Sequence, residues 1–256
     1  MESQPPMQID LTDKVALITG SARRVGRAIA LELARRGVHI LVHYNSSADE
    51  AVRETLHDIK SHGVDAFSVQ ANISTADGVA HVFDRVKSQF RRLNILVNSA
   101  SVFHQNELMD ITLEDWQRSL DVNLTAPFLC TQAAVRLMRE NDPPGGAIIN
   151  LLDFGSVRPW PQRLDHGVSK AGLLSLTENS AAALGSENIR VNGVLPGPVM
   201  KSPGLSDARW AEIGAALPIG RPGDAGDVAR AVAYLAGEDF ITGTVLKVNG
   251  GEDLNK

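Results

Sequence analysis

Seven short apolar runs alternate with longer amphipathic stretches along the chain, and this alternation restricts the fold more than any other feature. The runs are nearly continuous in β-branched and other apolar residues, which is typical of strands buried on both faces. Helical stretches between successive strands predict an α/β, single-domain Rossmann fold with a doubly wound parallel sheet. The predicted strands are residues 15–19, 38–42, 66–69, 95–97, 147–151, 191–195 and 245–248.

Length and charge narrow the class of protein further. The chain has 256 residues and a net charge of −5, which suits one globular domain and argues against a nucleic-acid-binding surface. No apolar run reaches the ~20 residues of a membrane span. Residues 1–10 are predicted to form a flexible tail without the pattern of a signal peptide, and residues 11–256 the folded domain. With a single cysteine, Cys130, in an apolar stretch, the protein is expected in the cytoplasm, with a small molecule as its partner.

The segment after the first predicted strand has the position of a nucleotide-binding turn. Gly20 follows the strand, and Gly26 lies near the start of the next helical stretch. Backbone N–H groups and a helix N-terminus at such a turn can bind a pyrophosphate. The residues predicted to hold the cofactor here are Gly20, Ser21, Arg24, Val25 and Gly26.

The end of the second predicted strand indicates which dinucleotide binds. Sites for NAD usually carry an acid here for the ribose 2′-hydroxyl, yet the first acid after this strand is Asp49. Hydroxyls and a cation without an acid favour a 2′-phosphate, so the expected cofactor is NADPH. A second interpretation is that Ser46 caps the following helix. The predicted contacts, beside Arg24, are Tyr44, Asn45, Ser46 and Ser47.

Motifs spread over nearly the whole chain resemble the short-chain dehydrogenase/reductase family. They are Thr19-Gly20 with Gly26, Asn98-Ser99-Ala100, Asn123, the pair His166 and Lys170, Pro196-Gly197, and Ile241-Thr242-Gly243 with Asn249-Gly250-Gly251. The resemblance implies a reductase that uses NADPH/NADP+. It adds to the cofactor-binding residues Asn72, Ile73, Asn98, Ser99, Ala100, Lys170, Pro196, Gly197 and Val199.

Several details resemble the pteridine reductases within that family. Arg24 stands where most relatives have a second glycine, and Asp153 takes the position of the usual catalytic serine. Residues 98–103 are similar to the segment that holds the pterin, although Ser99 replaces an asparagine. Ser46 stands where those relatives often place an arginine near the 2′-phosphate, which leaves Arg24 more of that task. The implied substrate-binding residues are Arg24, Ser101, Phe103, Asp153 and His166.

The largest departure from the family falls on the proton donor. The family has a tyrosine four residues before the lysine, and this chain has His166 there. Lys170 and Asn123 match the lysine that binds the nicotinamide ribose and the asparagine of the proton relay. Histidine titrates near ~6.5 and can donate a proton near neutrality. Asp153 is expected to lie beside the imidazole, where its carboxylate raises the histidine pKa, whereas Lys170 lowers it.

Three functions are compatible with these residues. The first is an NADPH-dependent reductase similar to the pteridine reductases, acting on a dihydropterin or a similar flat C=N or C=O substrate. The second is a carbonyl reductase resembling the 3-oxoacyl-carrier-protein reductases, because residues 220–229 are typical of those enzymes too. That interpretation requires a basic docking patch, which the sequence does not show. The third is a protein that binds NADPH without turnover.

Two tryptophans and the histidines bear on substrate and metal binding. Trp160 and Trp210 fall in segments that usually line the substrate mouth in relatives, although either can equally serve in packing. The histidines, His104 among them, show no shared metal-ligand spacing, so no metal is expected.

Two long helical stretches bear on assembly. Residues 113–139 and 164–184 carry apolar residues on more than one face. A helix that is apolar on several sides needs more than one packing partner, and the resemblance implies that these helices pair across a two-fold axis. The sequence therefore predicts a homotetramer.

Overall fold

A computed structural model describes residues 9–103, 105–202 and 204–254. Its strands are β1 (Val15–Ile18), β2 (His39–Tyr44), β3 (Ala66–Gln70), β4 (Ile95–Asn98), β5 (Gly146–Leu151), β6 (Ile189–Pro196) and β7 (Val245–Val248). They form one sheet in the order β3-β2-β1-β4-β5-β6-β7, and every neighbouring pair is parallel. The predicted single-domain Rossmann fold is confirmed.

Helices connect the strands and cover both faces of the sheet. They are α1 (Arg24–Arg35), α2 (Asp49–Lys60), α3 (Ala76–Phe90), α4 (Leu113–Leu120), α5 (Ala126–Met138), α6 (Leu164–Leu184), α7 (Asp207–Ala215) and α8 (Ala225–Gly237). α1 packs against α8, and α3 packs against α5. None of the described helices has the length and apolar composition needed to cross a membrane.

Alternate side chains of the central strands enter two separate cores. Ile18 of β1 belongs to the core under α1 and α8, whereas Leu17 belongs to the core under α3 and α5. β2 repeats the pattern with Ile40 and Leu41, and all four side chains are fully buried. Burial of such a side chain contributes roughly 1.5–3 kcal/mol. The sheet is therefore apolar on both faces, as the continuous apolar runs predict.

The sheet topology fixes where a ligand can bind. β1 lies between β2 and β4, so the chain leaves the carboxyl ends of β1 and β4 in opposite directions across the sheet. Open parallel sheets bind ligands in the crevice outside such a switch point. The predicted site residues lie in or after the segments that follow β1, β2, β3, β4, β5 and β6, which brings them to this edge.

The predicted elements agree with the structure except in one helix. Each predicted strand occurs, with ends shifted by a residue or two, and the helix predicted at residues 164–184 is α6. The long helix predicted at residues 113–139 is present as one continuous helical stretch, in which a π-turn at Asp121–Thr125 joins α4 to α5. Only that π-turn within the stretch was not predicted. Most of the predicted tail, residues 1–8, and His104 lie outside the described residues.

Candidate active site

The glycine turn joins β1 to α1 in a conformation that larger residues would disturb. Gly20 has a φ of +68°, and a Cβ at position 26 would overlap the carbonyl oxygen of Gly20. Ser21 is buried, with its hydroxyl donating to the carbonyl of Ile18 at 2.7 Å. Arg24, the first residue of α1, is exposed and has a φ of +55°. A tight turn at a helix N-terminus therefore faces the crevice, which suits a pyrophosphate.

A cavity of about 1600 Å³ runs along the carboxyl edge of the sheet. One end is formed by the glycine turn, by Asn72 and Ile73 after β3, and by the residues that follow β2. The predicted cofactor residues on the cavity wall are Gly20, Arg24, Val25, Gly26, Tyr44, Asn45, Ser46, Ser47, Asn72, Ile73, Ser99, Ala100, Lys170, Pro196, Gly197 and Val199.

The second interpretation of Ser46, as the cap of the following helix, is wrong. The helix α2 begins after Ala48, and no side chain caps its N-terminus.

Three predicted site residues do not line the cavity but support its wall. Ser21 sits inside the glycine turn, as described above. Asn98 is buried at the end of β4 and donates to the side chain of Asn150 at 2.8 Å. Asn123 is buried in the π-turn and holds the segment around residue 102. These three residues therefore act on the cavity through the neighbouring residues that they hold in place.

His166 and Asp153 form the centre of the other end of the cavity. The Nε2 atom of His166 is hydrogen-bonded to the carboxylate of Asp153, as the sequence leads us to expect. The Nδ1 atom of the same ring lies 3.0 Å from the carbonyl oxygen of Val102. The side chain of His166 is 2% exposed and that of Asp153 is 23% exposed. Asp153 is therefore the member of the pair that meets solvent.

The hydrogen bonds of Asn123 bear on which ring nitrogen of His166 carries a hydrogen. Its Oδ1 accepts from the N–H of Val102 at 2.9 Å and from the hydroxyl of Ser101 at 3.0 Å. Its Nδ2 donates to the carbonyl of Val102 at 3.1 Å and to the hydroxyl of Ser169 at 3.0 Å. The same Nδ2 atom also lies 3.3 Å from Nδ1 of His166, which is longer than these bonds and longer than the 3.0 Å contact of Nδ1 with the carbonyl of Val102. Because the shorter bonds use both amide hydrogens, Nδ1 is assigned as the donor to that carbonyl.

Lys170 lies beside this pair at the base of the cavity. Its Nζ donates to the carbonyl of Leu151 at 2.7 Å, and the residue is 4% exposed. Burial lowers the pKa of Lys170, and the carboxylate of Asp153 works against that shift. Burial acts to raise the pKa of Asp153, but the hydrogen bond from His166 and the charge of Lys170 outweigh it and hold that pKa below its usual value. The carboxylate is thus the resting form of Asp153.

Aromatic side chains surround the pair on the outer side. The ring of Phe103 meets the ring of His166 edge to face at 4.7 Å between centroids, and it is 48% exposed. Trp160 lies 6.4 Å from the same imidazole, and Trp210 lines the cavity near its mouth. The guanidinium of Arg163 stacks on the ring of Phe103 at 3.7 Å. Arg163 was not among the predicted site residues, and its position three residues before His166 was the available signal.

Comparisons with known proteins agree with this fold. Residues 20–252 match the family described as enoyl-(acyl carrier protein) reductase. The chain is 37% identical over 243 residues to the 3-oxoacyl-[acyl-carrier-protein] reductase FabG of Staphylococcus aureus, covering 93% of this chain and 97% of that protein.

Solved structures give the same result. A Serratia marcescens short-chain dehydrogenase/reductase mutant has a TM-score of 0.87 and 32% identity, covering 94% of this chain and 98% of that one. A blue fluorescent protein from a metagenomic library, solved with NADPH, has a TM-score of 0.86 and 32% identity, with the same coverage. The chain belongs to the short-chain dehydrogenase/reductase family. It is an oxidoreductase of that family.

Proposed function

We propose that the protein is an NADPH-dependent reductase of a small, flat C=N or C=O substrate, with a dihydropterin as the first substrate class. In this proposal the pair of Asp153 and His166 takes the place of the family's tyrosine as proton donor. The observation that carries it is the hydrogen bond between the two side chains within the cavity, beside Lys170.

The residues at one end of the cavity fit a dinucleotide. A Cβ at Gly197 would lie 2.7 Å from the backbone of Asn249, so glycine allows the chain after β6 to pack this closely against the segment after β7. Arg24 and the hydroxyls of Ser46 and Ser47 meet at that end without an acid, which favours the 2′-phosphate of NADPH. When bound, the reduced cofactor supplies the hydride. Lys170, at the cavity base, would hold the nicotinamide ribose.

The pair of Asp153 and His166 holds one transferable proton. Nδ1 of the ring keeps its hydrogen for the carbonyl of Val102, so the proton shared between Nε2 and the carboxylate is the one available for donation. Because Asp153 is the more exposed partner, its carboxyl oxygen is the atom that reaches the substrate. His166 supplies the proton that this oxygen transfers.

Proton transfer then follows from this arrangement. As charge develops on the nitrogen or oxygen of the reduced double bond, the Nε2 proton of His166 passes to the carboxylate of Asp153, which delivers it to that atom. The pair ends one proton short, with a neutral imidazole and a carboxylate, and a proton from solvent restores it. General-acid catalysis of this kind contributes roughly 10²–10⁴ in rate.

The walls of the cavity favour a small flat substrate. Phe103 offers an exposed aromatic ring next to the imidazole, and such rings pack well against flat heteroaromatic groups. Ser101 also lines the cavity, and its hydroxyl donates to Oδ1 of Asn123. Among the described residues that line the cavity, four arginines are accompanied by four acids, namely Arg23, Arg24, Arg118 and Arg163 with Glu114, Asp121, Asp153 and Glu252. This mixed charge does not form the basic patch that an acidic carrier protein would require.

A second candidate is reduction of a 3-oxoacyl thioester. The observation that favours it is the 37% identity to a 3-oxoacyl-[acyl-carrier-protein] reductase over nearly the whole chain. The third candidate, binding of NADPH without turnover, rests on the absence of the family's tyrosine at His166. The substrate panel below separates the three.

Consumption of NADPH should be measured with a dihydropterin, with a 3-oxoacyl thioester and without substrate. We expect turnover with the dihydropterin, and a drop of about 10²–10⁴ in His166→Ala and Asp153→Ala with nearly unchanged NADPH affinity. His166→Tyr should preserve or raise the rate, because Lys170 and Asn123 remain in place. If both alanine variants turn over normally, neither side chain is the acid. If the wild type is inactive and His166→Tyr is active, the protein is a non-catalytic binder.

The chain is further proposed to act as a homotetramer in the cytoplasm. Phe128 on α5 is 43% exposed and Val168 on α6 is 44% exposed, and the exposed face of α6 continues through Ala171 and Ala182. Exposed apolar side chains on two long helices suit helix pairing across a two-fold axis, with Ser175 and Glu178 between Ala171 and Ala182 on the exposed side of α6. The compartment rests on the single buried Cys130, which has no disulfide role within one chain.

A further inference from the structure

A buried imidazole joins two walls of the cofactor end of the cavity. His43, near the end of β2, is 1% exposed. Its Nδ1 atom accepts a hydrogen bond from the backbone N–H of Gly20 at 3.1 Å. Its Nε2 atom lies 3.1 Å from the carbonyl oxygen of Ala71. One ring therefore connects the glycine turn to the segment after β3.

The two partners determine the protonation state of this ring. An N–H group can only donate and a carbonyl oxygen can only accept, so His43 is neutral with its proton on Nε2. Burial lowers the pKa of His43 to about 4, although the hydrogen bond to Ala71 acts in the opposite direction. The ring consequently keeps its acceptor at neutral pH, because protonation of Nδ1 would place two N–H groups against each other.

The backbone of the same residue also holds the turn. The carbonyl of His43 accepts from the N–H of Ser21 at 2.9 Å. Two successive N–H groups of the turn are thus fixed by one residue of the neighbouring strand. Ala71 precedes Asn72 and Ile73, which line the cavity. The side chain of His43 therefore adds a direct link between the glycine turn and this wall to the backbone bonds that join β1, β2 and β3.

We propose that His43 is a positioning residue, which fixes the glycine turn in the shape that receives the cofactor's pyrophosphate and so sets cofactor affinity. This inference rests on the proposed function for the identity of the cofactor alone, and not for the substrate. The N–H of Gly20 is already bonded, so the pyrophosphate must be met by N–H groups farther along the turn. A small displacement of the turn would misalign all of them together.

Three substitutions separate the two hydrogen bonds of the ring. In His43→Asn the Oδ1 atom takes the place of Nδ1, so the bond from Gly20 is kept and the bond to Ala71 is lost. In His43→Gln the side-chain amide reaches toward Ala71 and the acceptor for Gly20 is lost. His43→Leu removes both bonds. Loss of a buried partner costs about 1–3 kcal/mol, and 1.4 kcal/mol corresponds to a factor of ten in affinity.

The chain offers a matched control on the same strand. His39, at the amino end of β2, also uses Nδ1 to accept a backbone N–H, that of Asp65, at 2.9 Å. It stands at the end of the strand away from the cavity. His39→Leu therefore removes an interaction of the same kind without touching the glycine turn.

Titration of the full-length protein with NADPH and with NADH, followed by fluorescence, tests the proposal. We expect His43→Leu and His43→Gln to weaken both cofactors by about tenfold or more, and His43→Asn and His39→Leu to stay within about threefold of wild type. Amide hydrogen exchange of residues 19–26 without cofactor should be faster in His43→Leu and unchanged in His39→Leu.

Equal affinities in wild type and folded His43→Leu would overturn the proposal. If His43→Leu does not fold, His43→Gln and His43→Asn decide it, and equal affinities in those two would overturn it as well. The readout is binding, so a wild type that binds NADPH but reduces no substrate contradicts the proposed function and leaves this inference standing. A wild type that binds neither cofactor contradicts both.

Discussion

At the scale of single residues, the proton shared by Asp153 and His166 makes activity depend on pH. The pair must be protonated when the substrate is reduced, so turnover should fall as pH rises through the apparent pKa of the pair, which belongs to both groups together. This limb should lie well below the tyrosine value of ~10. A pH profile of kcat checks it, with His166→Tyr as the control whose limb should move to higher pH. A wild-type profile that is flat up to pH 9 would contradict the assignment.

Arg24 combines a strained backbone with a role in cofactor choice. A left-handed conformation outside glycine costs roughly 1–2 kcal/mol, and Arg24 has a φ of +55°. Arg24→Gly should therefore unfold at equal or higher urea concentration while NADPH affinity falls about tenfold and NADH affinity changes little. Arg91→Gly is the control, because Arg91 has a φ of +59° at the end of α3. Its stability should respond in the same way and its NADPH affinity should not change. Equal losses for both cofactors in Arg24→Gly would argue against a 2′-phosphate contact.

His43 should make the folded protein sensitive to acid. Its pKa is lowered from 6.5 to about 4 on folding, so between these values the unfolded chain binds more protons than the folded one. The stabilisation is complete above pH 6.5 and is lost as pH falls toward 4, by roughly 3 kcal/mol in all. Urea unfolding at several pH values should show a steeper loss for wild type than for His43→Asn. Parallel curves for the two proteins would show that His43 does not contribute.

At the scale of secondary-structure elements, the π-turn between α4 and α5 aims a side chain at the active site. Asn123 lies in that turn and makes four hydrogen bonds to residues 101, 102 and 169. Asn123→Ala should lower the unfolding free energy by about 1–3 kcal/mol. It should also reduce turnover, because the carbonyl of Val102 that orients the His166 ring loses its support. Asn123→Asp keeps both accepted bonds and should lie between wild type and Asn123→Ala. Unchanged turnover per folded molecule would restrict Asn123 to stability.

The elements also show what a sequence can predict. The strands and α6 were predictable because continuous apolar runs have one stable arrangement in a parallel sheet. The π-turn could not be predicted, because residues 113–139 read as one helical pattern in the sequence. The meeting of Asp153 and His166 followed from their places after β5 and in α6. The link from His43 to Gly20 and Ala71 did not, because its partners lie 23 and 28 residues away along the chain.

At the scale of the whole molecule, the cavity joins the glycine turn, where the cofactor is proposed to bind, to the acid pair of Asp153 and His166. Elements on different faces of the sheet support these two parts. The glycine turn rests on α1 and β2, whereas the acid pair rests on the end of β5 and on α6. α6 therefore has a catalytic side, with His166 and Lys170, and an opposite side with Val168 and Ala171 exposed. Association of copies through that opposite side would hold α6 in place and so steady the catalytic side.

The tetramer prediction can be tested on that exposed face. Light scattering of the wild type at micromolar concentration should give about four times the chain mass of 27.5 kDa. Phe128→Glu should give smaller species, because a charge buried in an apolar interface is costly. Met109→Glu is the control, since Met109 is 90% exposed outside α5 and α6, and its mass should equal that of wild type. A monomer mass for the wild type would refute the tetramer, and unchanged mass in Phe128→Glu would place the interface elsewhere.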